Sequence, residues 1–414
     1  MAETSGSGVP SIKTLNIASD VNATAERYCR FGQDCASRLR FPLGACFCNY
    51  GMHKLDIRPN SFKYLSLVEE DKMKKSLLKI TAALLLAVST GSTTALFAKP
   101  NPKAQTYKTH EVADSSADKS APVVYLIREI SPEALVKVYK ATGYTAKGKT
   151  GVKVSTGESE NSNYLRPALI KNLVKDELNA TIVECNTAYG GGRSNNIDHM
   201  KIAKDHGFLD VANGFDLQDA DGYMTLPVKG GARLKENYVG SHFKDYDTYL
   251  ILSHFKGHAM AGFGGALKNL SIGFASGMSV EKSGKVQIHS GGTKTKGSIW
   301  GSQEPFLEAM AEAAKSVCDY MQNGKGIVCV NVMNRLSVDC DCDANPAEPD
   351  MHDIGILASL DPVALDQACV DLIYTAKDGG SVVERIESRN GIHTLEHAEK
   401  IGFGSRNYHL VEIK

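Results

Sequence analysis

Strand-like and helix-like segments alternate along this chain, which predicts an α/β fold built as a single domain, with a largely parallel central sheet flanked by helices. Apolar runs typical of buried strands, such as Val123–Ile127 and Tyr249–Leu252, are separated by segments with helical patterns. Helix starts are marked by Ser131 before Pro132 and by Asp361 before Pro362, since these residues favour the N-cap and the first helical position. We find no internal repeat and no second hydrophobic cluster beyond a linker, so one ordered domain over residues 122–414 is expected.

The elements follow in order from these patterns. Strands are predicted at residues 123–127, 151–155, 180–185, 246–254, 326–332, 354–358 and 408–413. Helices are predicted from 131 to 143, and at 166–178, 195–206, 265–270, 304–322, from 361 onward, 381–389 and 394–401. Strands that alternate with helices in this way form parallel sheets, whose ligands usually lie at the carboxyl ends of the strands.

The composition is that of an ordinary soluble globular protein. Of 414 residues, 42% are hydrophobic and 23% are charged. Residues 99–414 contain 35 Lys and Arg against 39 Asp and Glu. Because this segment lacks the basic surplus of a nucleic-acid-binding domain, no nucleic-acid partner is expected.

The N-terminal part has the pattern of an export signal that begins at an internal methionine. From Met73, a basic start is followed by a short apolar stretch and then by small residues up to Ala98. We therefore predict a signal peptide at 73–98, a linker at 99–121, and a non-native or disordered extension at 1–72. The apolar part is short for a bilayer span, so a periplasmic protein without a stable membrane span is expected. The alternative is a signal-anchor with a cytoplasmic tail.

The densest cluster of reactive side chains is at residues 253–276, where a predicted strand runs into a glycine-rich loop. His254 and His258 are candidates for metal ligation or acid–base catalysis, and Lys268 for a general base or a cation that binds an anionic ligand. Asn269 is a further ligand-binding candidate. Each residue taken singly also has a structural interpretation, and whether the protein is an enzyme stays open at this stage.

A second pattern is D-C-D-C at residues 339–342. In an extended segment, Cys340 and Cys342 would point to one face and could ligate a soft metal. The neighbouring aspartates disfavour free thiolates, so a metal or a disulfide partner is required for the pair to be useful. The alternative is an acidic exposed turn.

Two more strand ends contribute candidates for a carboxylate or phosphate ligand. Cys185 begins a glycine-rich turn that includes Arg193 and Asn195. This turn has no P-loop lysine, which excludes nucleotide hydrolysis of that type.

The other strand end supplies a cation and a carboxylate, Lys153 and Glu158, with Arg166 nearby. These three residues are predicted to bind a ligand together with the glycine-rich turn.

Four motifs resemble one family, over about residues 122–414 and in order. They are H-F-K-G-H-A-M-A-G-F-G-G-A-L-K-N, T-I-V-E-C-N-T-A-Y-G-G-G-R-S-N, D-C-D-C and D-I-G-I-L-A-S-L-D-P-V-A-L-D-Q-A-C. The family is called domain of unknown function 362, and its members are often described as uncharacterised Fe–S centre proteins. This chain departs from many members because it has no ferredoxin-type cysteine insert and has Ser155 where they have histidine. The segment around Lys268 is also loosely similar to lactate racemases, which use a nickel-pincer cofactor.

The cysteines of the mature chain predict that no [4Fe–4S] cluster is bound, since such a cluster takes about four thiolates. Cys318, Cys329 and Cys369 lie in apolar patterns typical of core positions, which leaves Cys185, Cys340 and Cys342. A mononuclear zinc or iron site with sulfur and imidazole ligands fits this set better.

Together these patterns predict an exported protein that binds a metal ion or a small anionic ligand in a cleft of glycine-rich loops. The alternatives are a non-catalytic binding or interaction domain without metal, and a cofactor-dependent enzyme loosely like lactate racemase.

Overall fold

The computed structural model describes residues 118–158 and 162–414. All of them belong to one compact unit. Its strands are β1 Val123–Ile127, β2 Thr150–Lys153, β3 Thr181–Glu184, β4 Gly214–Leu217, β5 Tyr223–Pro227, β6 Glu236–Gly240, β7 Thr248–His254, β8 Lys256–His258, β9 Gly262–Gly264, β10 Ile327–Met333, β11 Gly355–Ser359 and β12 His409–Glu412. Its longer helices are α1 Pro132–Ala141, α2 Pro167–Lys171, α3 Asn196–Asp205, α4 Ala266–Ser271, α5 Gly284–His289, α6 Gln303–Tyr320, α7 Pro362–Thr375, α8 Gly380–Ser388 and α9 His393–Lys400.

Eight of these strands form one sheet in the order β12-β1-β11-β10-β7-β2-β3-β4. The pairs β10–β7, β7–β2, β2–β3 and β3–β4 are parallel. Strand β11 is antiparallel to both of its neighbours, so the other seven strands run in one direction. The predicted single α/β domain with a largely parallel central sheet is confirmed.

The helix starts depend on the caps that the sequence indicates. The Ser131 hydroxyl accepts a hydrogen bond from the amide of Ala134 at the start of α1. The Asp361 carboxylate accepts hydrogen bonds from the first amides of α7, and Asn195 caps α3 in the same way. These side chains satisfy amides that have no partner inside the helix.

The core surrounds the two central strands, because every residue of β7 and β10 is buried. Helices α4, α6 and α7 pack on one face of the sheet in the same apolar cluster as Tyr249 and Phe274. Cys318, Cys329 and Cys369 are buried in this cluster, so their predicted assignment to the core is confirmed.

Two predictions of local structure differ from the fold. The helix predicted at 166–178 changes after Lys171 into a π-helix, Asn172–Glu177. The short hairpins β5–β6 and β8–β9 were not predicted, since three-residue strands such as β8 and β9 give no readable alternation.

The predicted extension at 1–72, the signal peptide at 73–98 and residues 99–117 of the predicted linker lie outside the described residues. Among the residues described, no helix is both long and apolar enough to cross a membrane.

Candidate functional site

A cavity of about 660 Å³ lies at the edge of the sheet where the parallel strands end. Its walls come from the loops after β2, β3 and β7 and from residues 339–344 after β10. Since these four strands are parallel, their carboxyl ends meet at one edge, which is the usual ligand position in such sheets.

Two glycines allow the close packing that shapes the cavity. A Cβ atom at Gly257 would lie 2.6 Å from the Cα of Val338, so β8 and the D-C-D-C segment approach each other only because residue 257 has no side chain. A Cβ at Gly265 would lie 2.8 Å from the carboxyl carbon of Asp366.

The first amides of α4 are already occupied by a carboxylate. Asp366 accepts hydrogen bonds from the amides of Ala266 at 2.8 Å and Leu267 at 2.9 Å, and Asn331 donates to it as well. Burial raises the pKa of Asp366 to about 6, while these donors favour its ionised form. The glycine-rich loop therefore opens a helix whose amides bind the protein's own carboxylate rather than facing the cavity.

The arginine loop, residues 185–193, holds a closed set of ion pairs. The Arg193 Nε lies 3.0 Å from Glu158 and its Nη1 lies 3.5 Å from Glu184. Its remaining nitrogen donates to the Tyr189 hydroxyl, which in turn donates to Glu158. All charges of this loop are therefore matched inside the protein.

Glu184 ends β3 and links the arginine loop to β2. It lies 2.6 Å from the His199 Nε2 and 3.5 Å from the Lys153 ammonium, and it accepts a hydrogen bond from Thr156. Burial alone would raise the pKa of Glu184, but Lys153, His199 and Arg193 together hold it well below its usual range. Glu184 is therefore a buried, ionised carboxylate.

The lysine segment, residues 255–268, comprises β8, β9 and the first turn of α4. Its Lys256 ammonium lies 2.8 Å from Asp341, which also pairs with the Nδ1 of His254 at 3.0 Å. The other ring nitrogen of His254 is 2.6 Å from the carbonyl oxygen of Asn334. Both nitrogens of His254 are thus engaged within the fold.

Lys268 differs from the other cations of the cavity. Within residues 118–158 and 162–414, its ammonium has no hydrogen-bond or ion-pair partner, although the side chain lines the cavity. Burial lowers the pKa of Lys268 to about 7, and the nearby Lys256 lowers it further than Asp341 can offset. Lys285, another cavity cation, donates to the carbonyl oxygen of Ala275 at 2.5 Å.

The two cysteines of the D-C-D-C segment form a disulfide with each other. The Nε2 of His258 lies 3.7 Å from the Sγ of Cys342, and the potential ligand atoms of His258, Cys340 and Cys342 all lie within 4.8 Å of one another. With the disulfide reduced, this group could hold a metal ion.

The tautomer of His258 is fixed by its surroundings. Its Nδ1 accepts hydrogen bonds from the amides of Met260 at 3.1 Å and Ala261 at 2.9 Å. Burial lowers the pKa of His258 well below its usual range, so the ring is neutral at pH 7. Because an amide can only donate, the single ring proton is on Nε2, the atom that faces Cys342.

The structure brings most of the predicted site residues together. The cavity is lined by Lys153, Glu158, Cys185, Arg193, His254, His258, Lys268, Asn269, Cys340 and Cys342. Cys185 is outside the His–Cys–Cys group, and burial raises its pKa while its thiol donates to the carbonyl of Phe274.

Arg166 and Asn195 do not line the cavity. The Arg166 guanidinium stacks 4.2 Å above the Tyr164 ring, and Asn195 caps α3. Both have structural contacts where the sequence suggested ligand binding.

Sequence reasoning did not select four charged or ionisable residues that help to form the site: Glu184, Asp341, Lys285 and His289. Glu184 and Asp341 each adjoin a selected cysteine, so the position at a strand end could have found them. Lys285 and His289 lie on the short helix α5, which no sequence pattern predicted.

Comparison with known proteins gives a family and no activity. The family model described as Domain of unknown function (DUF362) matches residues 150–371. No curated protein matches the chain. A lactate racemase apoprotein from Thermoanaerobacterium thermosaccharolyticum matches with 12% identity and a TM-score of 0.29, over 51% of this chain and 50% of that one. A protein from Thermotoga maritima matches with 14% identity and a TM-score of 0.33, over 65% and 58% of the two chains.

Proposed function

Because the chain belongs to the domain of unknown function 362 family, whose name assigns no activity, we propose a function from the cavity itself. The protein binds a small anionic molecule there, and a carboxylate or phosphate group of that molecule pairs with the Lys268 ammonium. A cavity of about 660 Å³ is within the usual size range of small-molecule sites.

One observation carries this proposal: Lys268 is the cavity cation whose ammonium has no partner among the described residues. The other cations that line the cavity are held by carboxylates or, for Lys285, by a carbonyl. Lys268 is instead close to positive charge, since Lys256, Arg193 and Lys153 all lower its pKa. An anion at this position would relieve that repulsion, so the charge distribution favours an anionic ligand over a cationic one.

The test uses Trp300, the single tryptophan of the chain, which lines the cavity. Inorganic phosphate and malonate are titrated separately into the full chain at pH 6.5 while tryptophan fluorescence is recorded. We expect saturable binding of at least one anion, weakened about tenfold or more in Lys268→Met, since a charge-assisted hydrogen bond contributes about 1.5–3 kcal/mol.

The matched control is Lys400→Met, which removes an exposed lysine at the end of α9. This variant should bind like the wild type. Equal affinity in Lys268→Met and wild type, or no saturable response to either anion, would reject the proposal.

A second candidate is a mononuclear zinc or iron ion held by the His–Cys–Cys group, and the 4.8 Å grouping of its ligand atoms favours it. This site needs the reduced thiols, and His258 would have to bind through a nitrogen that carries a proton in the present hydrogen-bond arrangement. Metal content is measured on reduced protein beside a C340S/C342S double variant. Equal and negligible metal in both would remove this candidate.

Export remains part of the proposal and rests on the sequence from Met73 onward. Protein expressed from Met73 should be cleaved near Ala95 or Ala98 and recovered from the periplasm. Recovery of an uncleaved, membrane-bound form would favour the signal-anchor alternative.

A further inference from the structure

The Cys340–Cys342 disulfide closes one of the smallest possible loops, with a sequence separation of 2. A disulfide stabilises a fold mainly by restricting the unfolded chain, and the effect decreases as the closed loop becomes shorter. This bond therefore contributes little to stability compared with one that joins distant segments. Its position in the cavity wall, with Cys342 half-buried and Cys340 nearly enclosed, points to chemistry instead.

Each sulfur of the pair has a hydrogen-bond donor next to it. The amide of Cys342 donates to the Sγ of Cys340 at 3.3 Å. The Nε2 proton of His258 faces the Sγ of Cys342 at 3.7 Å, because the Nδ1 is occupied by two amides. Donors at these positions stabilise thiolates, and the thiolate is the form of cysteine that reacts and leaves in disulfide exchange.

The flanking aspartates would oppose thiolate formation if their charges were free. Asp341 pairs with Lys256 and His254, and Asp339 pairs with Arg385 at 3.0 Å. Only Asp343, whose carboxylate accepts from the Asn345 amide, lacks a cationic partner in the described chain. Two of the three repulsive charges next to the sulfurs are thus compensated.

We propose that Cys340 and Cys342 are a redox-active pair that exchanges with a small-molecule thiol admitted to the cavity. Cys342 is the sulfur that the incoming thiolate attacks, because it is the more accessible of the two. The proposal goes beyond anion binding and does not depend on it.

The exchange balances in two steps. A thiolate RS⁻ attacks the Sγ of Cys342, the S–S bond to Cys340 breaks, and Cys340 leaves as a thiolate next to the Cys342 amide. A second thiolate R′S⁻ then attacks the mixed disulfide, which releases RSSR′ and a Cys342 thiolate next to the His258 N–H. Two electrons pass from the two small thiols to the protein disulfide, and the protein thiolates take up protons from water.

The first experiment measures the rate at which the full chain is reduced by 2-mercaptoethanol, with a chelator present to exclude metal. This thiol is uncharged, so the result is independent of the proposed anion site. Alkylation followed by mass spectrometry gives the fraction of protein with both thiols free. We expect reduction in the folded protein, slowed about tenfold in His258→Leu and restored to within about threefold in His258→Gln, whose amide keeps a donor and an acceptor.

The matched control is His289→Leu, another buried cavity histidine, whose ring stacks on Phe306 and pairs with the carbonyl of Lys285. It should be reduced at the wild-type rate. A disulfide that resists the thiol until the protein is unfolded would overturn the proposal, as would a His258→Gln variant as slow as His258→Leu.

Single cysteine variants give an answer even if His258→Leu does not fold. With Cys340→Ser, the remaining Cys342 should form a mixed disulfide with oxidised 2-mercaptoethanol. With Cys342→Ser, the enclosed Cys340 should react at least about tenfold more slowly. The reverse order of reactivity would contradict the assignment of Cys342 as the attacked sulfur.

Discussion

The arginine loop and the lysine segment lie on the same edge of one sheet, yet they treat charge in opposite ways. In the arginine loop, Arg193 pairs with both Glu158 and Glu184. In the lysine segment, Lys256 pairs with Asp341, but Lys268 faces the cavity without a partner among the described residues. Closed ion pairs hold a wall in place, whereas an unmatched charge is available to a ligand. The first region is therefore the frame of the site and the second is its binding face.

The largest effect should come from breaking the frame. Arg193→Met leaves Glu158 and Glu184 buried without their shared cation, and loss of one member of a buried pair costs about 3–5 kcal/mol. We expect that loss in the free energy of unfolding, measured by urea denaturation. In the control Arg166→Met, only a stacking contact with Tyr164 is lost, so the cost should be about 1 kcal/mol or less. Equal costs in the two variants would mean that the arginine loop is not a frame.

The approach of the lysine segment to the D-C-D-C segment can be tested separately. Gly257→Ala places a Cβ 2.6 Å from the backbone of Val338, so the two segments must move apart, at a cost of about 1–3 kcal/mol. Gly190→Ala is the counterpart in the arginine loop, because a Cβ there has nothing within 4 Å. Thermal unfolding should show a lowered Tm for the first variant and a change within about 0.5 kcal/mol for the second.

The pH dependence of anion binding sharpens the contrast between the two regions. Only protonated Lys268 attracts an anion, and burial has lowered its pKa to about 7. A bound anion favours the charged form and raises that pKa. Affinity should therefore be constant below about pH 7 and fall about tenfold per pH unit above it, until the pKa of the complex is reached. Calorimetry above pH 7 in buffers of different ionisation enthalpy should detect proton uptake on binding.

Lys268→Met should abolish this pH dependence. A wild-type affinity that stays constant between pH 7 and 9 would show that the anion does not bind at Lys268.

The sequence predicts which strand ends carry the reactive residues, because each glycine-rich run directly follows an apolar strand. It does not predict which of them pair, since the contact of Glu158 with Arg193 depends on β2 and β3 being neighbours in the sheet. The same limit applies at α4, where the carboxylate of Asp366, about a hundred residues further along the chain, occupies the helix amides.

Asn195 shows a different limit of sequence reasoning. Its position directly before a predicted helix already indicated a cap, and the structure uses it as one. A polar residue that has a local structural role is thus a weaker ligand candidate than Lys268, for which the sequence offers no such role.

The smallest expected effect is on stability, and it has the opposite sign to that of Arg193→Met. The Lys268 ammonium makes no hydrogen bond or ion pair in the part of the chain described here, and it is close to Lys256. Methionine keeps most of the apolar stem and removes the repulsion, so Lys268→Met should leave the free energy of unfolding unchanged or raise it by up to about 1 kcal/mol. Urea denaturation without added anion at pH 6, where Lys268 is charged, gives the clearest reading. A loss of 2 kcal/mol or more would show that Lys268 belongs to the frame, and the division of the cavity into frame and binding face would then be wrong.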